Sequence, residues 1–377
     1  MIRFGMNSFI IYGFHKSKKD NVDKNIINKS YFINYLQSRI LIFFDRMILK
    51  FYVNRKKYIF SSGLFGINLN SVIKKNKIDI LNLHWVNHGM LNINSIKLIQ
   101  IPIVWTIRDA WVFTGGCHFL SECNNYQFGC GKCPQLKSSK ENDLSRYIFK
   151  IKKKNISKVK KIKFVAISNF MKQKAIKSPL IKNEVDVIPN IVNFKDFQSY
   201  DKIISRKKLG LDTKSKTILF QNNSGEEWKG TNTIDEIKKN LSNDFQLISF
   251  GNGEGYKNIK NFGYINNYKD LSLIYSSTDI FVFLSEQEPF GKVLFEAAWC
   301  GAKVACFKNG GTFEYYNNED WWTVFESSDP KKMANQISSA LKTDHCKLHE
   351  VHRQLALKLD DKLVVDAYQK IYNKLLN

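Results

Sequence analysis

The stretch Ser285 to Gly311, SEQEPFGKVLFEAAWCGAKVACFKNGG, indicates the fold class of the second half of the chain. It follows the apolar run Ile280 to Leu284, which is typical of a strand buried in a parallel sheet. A Pro-Phe-Gly turn then carries the chain over the carboxyl edge of that strand, and Lys292 to Trp299 has the pattern of the next helix. Because ligands bind at this edge of parallel sheets, the stretch predicts a ligand site.

Two glutamates, eight positions apart, frame the turn. Glu288 precedes the helix and Glu296 lies in its second turn, where its side chain leans back toward the same crevice. Free amides near Phe290, Gly291 and Lys292 would also face the crevice and suit a phosphate or a polyhydroxyl ligand. The same spacing also occurs at solvated helix starts, where carboxylates offset the helix dipole.

The rest of the chain alternates short apolar runs with helical patterns, which predicts two doubly wound α/β domains. A length of 377 residues also favours two cores over one. We expect one domain at 1–195 with a Cys-rich loop at 115–136, a second at 196–350, and a helix at 351–377 that packs on the first. The predicted strands are Ile78–Leu83, Ile103–Ile107, Phe164–Ile167, Val185–Ile188, Ile218–Gln221, Phe245–Phe250, Ile280–Leu284 and Lys303–Phe307.

The charge of the chain points to a polyanionic partner. There are 58 Lys and Arg against 34 Asp and Glu, a formal charge of +24, which suits nucleic acid or an anionic membrane surface. Lysine far outnumbers arginine, whereas sequence-specific nucleic-acid readers depend on arginine for bidentate base contacts. We therefore expect no specific nucleic-acid partner.

The densest basic run, Lys150 to Lys163, interleaves lysines with Ile and Val at helical spacing. Such a helix either lies on an anionic leaflet or presents a solvated face between two buried strands. No stretch approaches the roughly 20 uncharged apolar residues of a spanning helix, and Met1 to Phe14 lacks a signal-peptide cleavage pattern. The sequence predicts a cytoplasmic protein, peripheral on the inner face of the cytoplasmic membrane.

Four cysteines lie in one Gly-rich loop that ends in Cys-x-x-Cys-Pro: Cys117, Cys123, Cys130 and Cys133. They could close a structural zinc site, in which His118 could replace one thiolate. They could instead form two disulfides, which a reducing compartment disfavours, or pack the loop as free thiols.

The stretch Ser285 to Gly311 resembles the donor-site signature of family 4 of the glycosyltransferases. That signature has two Glu separated by seven residues within a Glu-x-Phe-Gly frame, followed by Gly-x-x-Val and Gly-Gly. The matching residues are Glu288, Phe290, Gly291, Glu296, Gly301, Val304, Gly310 and Gly311.

The segments LNLHWVNHGML (81–91) and VWTIRDAWVFTGGC (104–117), with the cysteine loop, are similar to the branch that assembles bacterial surface polysaccharides such as O-antigen, lipopolysaccharide, capsule and colanic acid. The resemblance runs from about residue 75 onward and implies the GT-B fold, two Rossmann-like domains that face an interdomain cleft.

The resemblance implies a retaining hexosyltransferase that uses a nucleotide sugar, a UDP- or GDP-sugar, without a catalytic cofactor. In that family pattern Glu296 would hold the ribose hydroxyls, and Glu288 the hydroxyls of the donor sugar near the reacting carbon. Lys229 would neutralise the diphosphate, which carries the developing charge of the leaving group. The amides of residues 290–292 would support that charge, and Gly251 would form a turn beneath the nucleotide base.

The chain departs from that branch in two places. Arg108 and Asp109 stand where His-Asp is usual, and an arginine cannot act as a neutral acceptor or shuttle a proton. Arg108 could bind a phosphate instead, while Asp109, His84 and Trp85 are candidates for positioning the acceptor. The chain also opens at what resembles the second strand of the family, so we expect it to be shortened at the N-terminus.

The function expected from these features is the transfer of a sugar to a growing, lipid-linked surface polysaccharide. The alternative is a catalytically weakened relative that binds membranes or polyanions through its lysines. Salt separates the two, because polyanion binding weakens steeply with ionic strength, and a pocketed nucleotide responds less.

Overall fold

The structure is a computed structural model, and it divides the chain into two compact units. The first unit comprises Met1–Ile188 with Val365–Asn377, and the second comprises Pro189–Val364. The described residues are 10–12, 30–32, 35–56, 58–87, 89–222, 230, 233–253, 256–285, 287–308, 310–315, 320–343 and 348–377. Lys229 and most of the segment that carries the expected N-terminal departure lie outside them.

The first unit holds two parallel sheets. Strand β1 (Ile10–Tyr12) pairs with β2 (Ser30–Phe32) in a separate two-stranded sheet. The larger sheet has the order β3-β4-β5-β6. Its strands are β3 (Leu81–Leu83), β4 (Ile103–Ile107), β5 (Ile162–Ala166) and β6 (Val185–Val187).

The Met1–Ile188 part of the first unit also contains four α-helices in its described residues, and side chains cap the N-termini of two of them. The four helices are α1 (Tyr35–Met47), α2 (Asn70–Lys75), α3 (Leu144–Ile156) and α4 (Asn169–Ala175). Asp143 caps α3 by accepting from the Arg146 amide, and Ser168 caps α4 in the same manner. The whole of β4, which lies between β3 and β5, is buried, as is typical of an inner strand of a parallel sheet.

The second unit contains a six-stranded parallel sheet in the order β12-β11-β10-β7-β8-β9. Its strands are β7 (Thr217–Gln221), β8 (Gln246–Phe250), β9 (Lys260–Asn261), β10 (Ile280–Phe283), β11 (Lys303–Phe307) and β12 (Trp322–Phe325). The helices are α5 (Lys202–Lys208), α6 (Ile234–Lys239), α7 (Tyr268–Ser277), α8 (Lys292–Trp299), α9 (Pro330–Lys342) and α10 (Leu348–Leu359). Ile218, Phe220 and Val282 anchor one core of this unit.

The last helix, α11 (Asp361–Leu376), contributes most of its length to the first unit. The hydroxyl of Tyr368 lies 3.1 Å from Thr106 Oγ1, and Asn82 donates its amide to the Tyr372 hydroxyl at 2.6 Å. Lys161 Nζ donates to the Leu375 carbonyl at 3.0 Å. These polar contacts fix the helix on the β3–β6 sheet.

Every predicted strand is present, with its ends within three residues of the prediction, and α8 has the predicted limits. The largest difference is at Ile78, where the amide donates to Ile73 in a turn, so that pairing with β4 begins only at Leu81. None of the helices in the described parts of the chain is long and apolar enough to cross a membrane.

Candidate functional site

The carboxyl edge of the sheet in the second unit brings together the segments that carry the predicted donor residues. Strand β7 lies between β10 and β8. The chain adds β8 and β9 on one side of β7 and then crosses back to place β10 on the other side. Such a point of reversal leaves a crevice outside the strand ends. Glu288 follows β10, Glu296 belongs to the helix after it, and Gly251 follows β8.

The Glu288 loop is held by the Gly310-Gly311 turn. Glu288 and Gly310 form a parallel bridge, and the Gly311 amide donates to the Glu288 carbonyl at 2.8 Å. A Cβ on Gly310 would lie 2.5 Å from the Glu288 carbonyl oxygen, and φ there is +129°. Only glycine permits this approach, so the second part of the sequence signature fixes the backbone that carries Glu288.

The start of α8 is shaped by Gly291, whose left-handed φ of +71° turns the chain into the helix. A Cβ there would lie 2.3 Å from Thr312 Oγ1, which itself donates to the Phe290 carbonyl at 2.9 Å. The ring of Phe290 is buried against Phe295 and Tyr315. Lys292, the first residue of α8, is exposed. The segment is therefore rigid at the point where the resemblance places ligand-binding amides.

Glu296 projects from the second turn of α8 into a poorly hydrated environment. Removal from water raises its pKa from the ordinary 4.5 to about 7, and the charge of Lys292 opposes this only in part. Tyr268, Tyr275 and Cys300 are close enough to feel its charge. A partly buried carboxylate of this kind is suited to accept hydrogen bonds from ligand hydroxyls.

The ends of β7 and β8 form the neighbouring part of the edge. Gly251, at φ +130°, lies so close to Asn222 that a Cβ would meet its carbonyl oxygen at 1.9 Å. The Gly253 amide donates to the same carbonyl at 3.1 Å. Gly230, which directly follows Lys229 in sequence, lies against Leu284, and a Cβ there would be 2.5 Å from the Leu284 carbonyl oxygen.

The first unit brings His84 and Arg108 together at the carboxyl ends of β3 and β4. Arg108 Nε donates to His84 Nδ1 at 3.1 Å. Removal from water, and secondarily the charge of Arg108, lowers the pKa of His84 to about 4. His84 keeps part of its surface exposed, while Arg108 contacts its ring directly. Both effects leave a neutral imidazole at pH 7 that accepts from the guanidinium.

Asp109 is engaged on both carboxylate oxygens. One accepts from the Trp111 amide at 2.9 Å, and the other lies 2.6 Å from His118 Nδ1. His118 Nε2 lies 3.0 Å from Ser61 Oγ, and the indole Nε1 of Trp85 is 3.2 Å from Nδ1. A carboxylate oxygen accepts, so Nδ1 donates to Asp109 and cannot at the same time accept from the Trp85 indole. The Ser61 hydroxyl pairs with the other ring nitrogen, Nε2. Ser61 is buried, which makes this Asp-His-Ser chain a structural connection.

The cysteine loop does not fit the zinc prediction. In the described parts of the chain, no group of three or more His, Cys, Asp or Glu side chains is placed to hold a metal ion. All four cysteines are free thiols, so they form no disulfides either. Burial raises the pKa of Cys130 to about 12, and its Sγ accepts from the Gly115 amide at 3.2 Å. His118 cannot replace a thiolate, because both of its ring nitrogens have partners.

The basic run Lys150 to Lys163 presents exposed lysines, but one of its lysines is part of the core. Within α3, Lys152 is fully buried; its Nζ donates to the carbonyls of Trp111 and Thr114 and lies 3.5 Å from the Trp111 ring centroid. Burial lowers the pKa of Lys152 to about 7. The run continues directly into β5, which agrees with the alternative of a helix face between buried elements.

Three residues that support the site were not singled out from the sequence: Asn222, Thr312 and Tyr275. Asn222 directly follows β7, and its place in the polar cluster Gln221 to Asn223 was the available signal. Thr312 acts through a contact that only the folded turn creates. Tyr275 is completely buried, and among the described residues its hydroxyl has no hydrogen-bond partner.

Two Rossmann-like parallel sheets in separate units define the GT-B class of fold, and the predicted fold class is confirmed by comparison with solved structures. The structure of HepE from Anabaena in complex with UDP matches 81% of each chain at a TM-score of 0.59 and 16% sequence identity. At this identity the match establishes the fold. Residues 201–356 match the family described as Glycosyl transferases group 1.

Two curated proteins share detectable sequence similarity with the chain. The colanic acid biosynthesis glycosyl transferase WcaC of Escherichia coli (strain K12) is 27% identical over 145 residues, 35% of this chain and 33% of that protein. The N-acetyl-alpha-D-glucosaminyl L-malate synthase of Bacillus anthracis is 24% identical over 219 residues, 52% of this chain and 56% of that protein. The chain thus matches a third to about half of the length of these relatives. The match to the group 1 family lies within the second unit.

Proposed function

We propose that the chain is a retaining hexosyltransferase that moves a sugar from a UDP- or GDP-sugar to a growing, lipid-linked surface polysaccharide. The observation that carries this proposal is the pair of glutamates at the carboxyl edge of the second unit. Glu288 lies in a loop held by Gly310 and Gly311. Glu296 is a poorly hydrated carboxylate in the second turn of the helix that follows, α8. The group 1 match covers both residues.

In this proposal Glu296 accepts hydrogen bonds from the ribose hydroxyls, and Glu288 from the donor sugar near the reacting carbon. Breaking the bond to the leaving nucleoside diphosphate builds negative charge on its oxygens, which preorganised donors stabilise. Lys229 supplies the cation, and the amides of residues 290–292 supply additional donors. Lys229 is assigned by its place in sequence before Gly230, and the UDP bound to HepE supports a nucleotide donor.

On the acceptor side we assign contact with the substrate to Arg108, His84 and Trp85, whose side chains reach solvent at the sheet edge. The neutral His84 accepts from Arg108 and orients the guanidinium, which then suits an acceptor phosphate. Asp109 is a positioning residue, since both of its oxygens are used inside the unit. The colanic acid assignment of WcaC supports a surface-polysaccharide acceptor, held at the inner face of the cytoplasmic membrane.

A transfer assay tests this function. Purified protein is incubated with a panel of radiolabelled UDP- and GDP-sugars and with membranes, and the organic extract is counted. We expect label in the lipid fraction from one donor, with the anomeric configuration retained in the NMR spectrum of the released glycan. The proposal would be contradicted if no labelled sugar were transferred from any donor, or if the product had the inverted anomeric configuration.

A further inference from the structure

Helix α1 is attached to the first unit mainly through the buried Asp45, while Phe44 stacks on Phe65 at 5.6 Å between ring centroids. Asp45 is buried, and its carboxylate accepts from the Ser62 hydroxyl, the Ser62 amide at 3.2 Å and the Gly63 amide at 3.1 Å. Leu49, one turn further on, is buried beside it. The side of the helix that carries Asp45 therefore faces the protein.

The opposite side of α1 presents apolar side chains to solvent. Ile40, Phe43, Phe44 and Met47 follow the spacing i, i+3, i+4, i+7 of one helical face, and each is between 40% and 54% exposed. The chain continues through Phe51 and Val53, which are 87% and 88% exposed. We call these six residues the α1 face. An exposed cluster of this kind on one surface marks an interaction site.

The charge around the α1 face is almost entirely positive. Residues 35–56 contain five basic side chains, Arg39, Arg46, Lys50, Arg55 and Lys56, and a single acidic one, the buried Asp45. Arg39, Arg46 and Lys50 are exposed along one edge of the apolar stripe, and Lys50 Nζ lies 5.9 Å from the Phe43 ring centroid. Apolar side chains bordered by cations match the interface of an anionic bilayer.

A groove of about 660 Å³ adjoins the α1 face. Phe51 and Tyr52 line one side, and Lys137, Ser138 and Lys140 line another. The acidic residue in the groove, Asp143, is occupied, because its carboxylate accepts from the amides of Cys133 and Arg146 and from the Ser145 hydroxyl. The charged side chains that remain in the groove are the lysines Lys137 and Lys140, which suit a lipid phosphate headgroup.

We infer that the α1 face docks the protein on an anionic phospholipid bilayer, with Phe43, Met47 and Phe51 in the interface and the basic residues against the headgroups. This extends the proposed function by naming the surface that would bring the protein to a lipid-linked acceptor. It differs from the membrane alternative for Lys150 to Lys163, a run in which Lys152 is buried.

The test is flotation of the full chain with vesicles of phosphatidylglycerol and phosphatidylcholine, beside vesicles of phosphatidylcholine alone. The double variant Phe43→Ser, Met47→Ser should bind the anionic vesicles roughly tenfold more weakly or worse, because it removes interfacial apolar area. Arg39→Gln with Arg46→Gln should lose roughly fivefold per cation. Matched controls are the exposed pairs Leu357→Ser, Leu363→Ser and Lys153→Gln, Lys154→Gln, which should bind as the wild type does.

Vesicle binding that survives both α1 variants, or that is lost with Lys153 and Lys154 instead, would overturn the inference. Sedimentation distinguishes a second copy of the chain as the occupant: self-association that Phe43→Ser, Met47→Ser abolishes, without vesicle binding, would also overturn it. Thermal shifts with nucleotides are measured on the same variants. Because that readout needs no membrane, failure of the docking surface and failure of the donor site can be told apart.

Discussion

The carbonyl of Glu288 accepts a hydrogen bond from the amide of Gly311 at 2.8 Å, so the two ends of the sequence signature are in direct contact. The segment between them includes a complete helix and a strand, α8 and β11. The Gly-Gly pair is thus the backbone support of the first glutamate. Its contribution to function should be separable from that of any side chain that touches the donor.

Replacing Gly310 with Ala should disturb the Glu288 loop. The new Cβ would collide with the Glu288 carbonyl oxygen, which is backbone and can only shift by moving the loop. We expect a loss of about 1 to 3 kcal/mol in the free energy of unfolding, with a parallel loss of nucleotide-sugar binding. Gly263→Ala is the matched control, because its φ of +67° is also left-handed but no atom lies within 4 Å of the added Cβ. Equal effects of the two changes would show that the contact is unimportant.

Replacing Glu296 with Gln should stabilise the free protein at high pH. The pKa of about 7 lies above the ordinary 4.5, so the folded state favours the protonated carboxyl. That contribution to stability is fully present below pH 4.5 and is lost as the pH rises through 7. Glu296→Gln should therefore exceed the wild type by on the order of 2 kcal/mol at about pH 8, and by much less at about pH 5.

Urea unfolding at both pH values measures this difference. Glu326→Gln, a change at an exposed position in the same unit, should follow the wild type at each pH. A Glu296→Gln protein that is less stable than the wild type at the higher pH would mean that the carboxylate is well solvated or paired. The conclusion that Glu296 is poorly hydrated would then be wrong.

Replacing Asp109 with Ala should destabilise the first unit. The change leaves His118 Nδ1 and the Trp111 amide without their acceptor, at a cost of about 2 kcal/mol. Thermal unfolding measures the effect, and the exposed Asp79→Ala serves as the control. If Asp109→Ala kept full stability and lost only transfer activity, Asp109 would contact the acceptor directly and would not be a positioning residue.

Replacing Lys152 with Met should have an effect on stability that depends on pH. Burial lowers the pKa of Lys152 from 10.5 to about 7, so the wild type gains stability from this group as the pH rises between these values. At the lower end of this range the substitution removes a costly buried amine, whereas at the upper end it removes a neutral donor to two carbonyls. The stability of Lys152→Met relative to the wild type should fall by a few kcal/mol from about pH 7 to about pH 10. The exposed Lys154→Met should show no such trend, and parallel curves for both variants would refute the assignment.

The sheets and the donor-side motif could be predicted because their signals are local. A fully buried parallel strand such as Ile103–Ile107 is an apolar run in sequence. Helix α8 begins directly after Gly291 and ends two residues before Gly301, so both of its limits could be predicted. The contact of Glu288 with Gly311 could not be predicted directly, since it depends on the path of the chain through α8 and β11. The spacing between Glu288 and Gly311 is visible in the sequence, but the hydrogen bond that requires it is not.

The predictions for the first unit were limited by tertiary contacts between distant positions. The cysteine spacing suggested zinc, but His118 is instead paired with Asp109 and with Ser61, which lies 57 positions away. Likewise, Lys152 is one lysine among many in sequence, and only its position beneath Trp111 makes it a buried cation. Which lysine of a basic run is buried depends on the orientation of the helix, and that is set by packing.

The most direct test of the central claim is the thermal stabilisation of the wild type by uridine, guanosine, adenosine and thymidine diphosphates and their sugars. It is compared with Lys229→Ala and Glu296→Ala, and with the exposed controls Lys214→Ala and Glu326→Gln. At about a hundredfold excess over the dissociation constant, a nucleotide should stabilise the protein by about 2.7 kcal/mol. We predict that one base stabilises the wild type and both controls, but neither site variant. A donor site at this edge of the sheet would be contradicted if nucleotides still stabilised Glu296→Ala and Lys229→Ala. It would also be contradicted if no nucleotide stabilised the wild type.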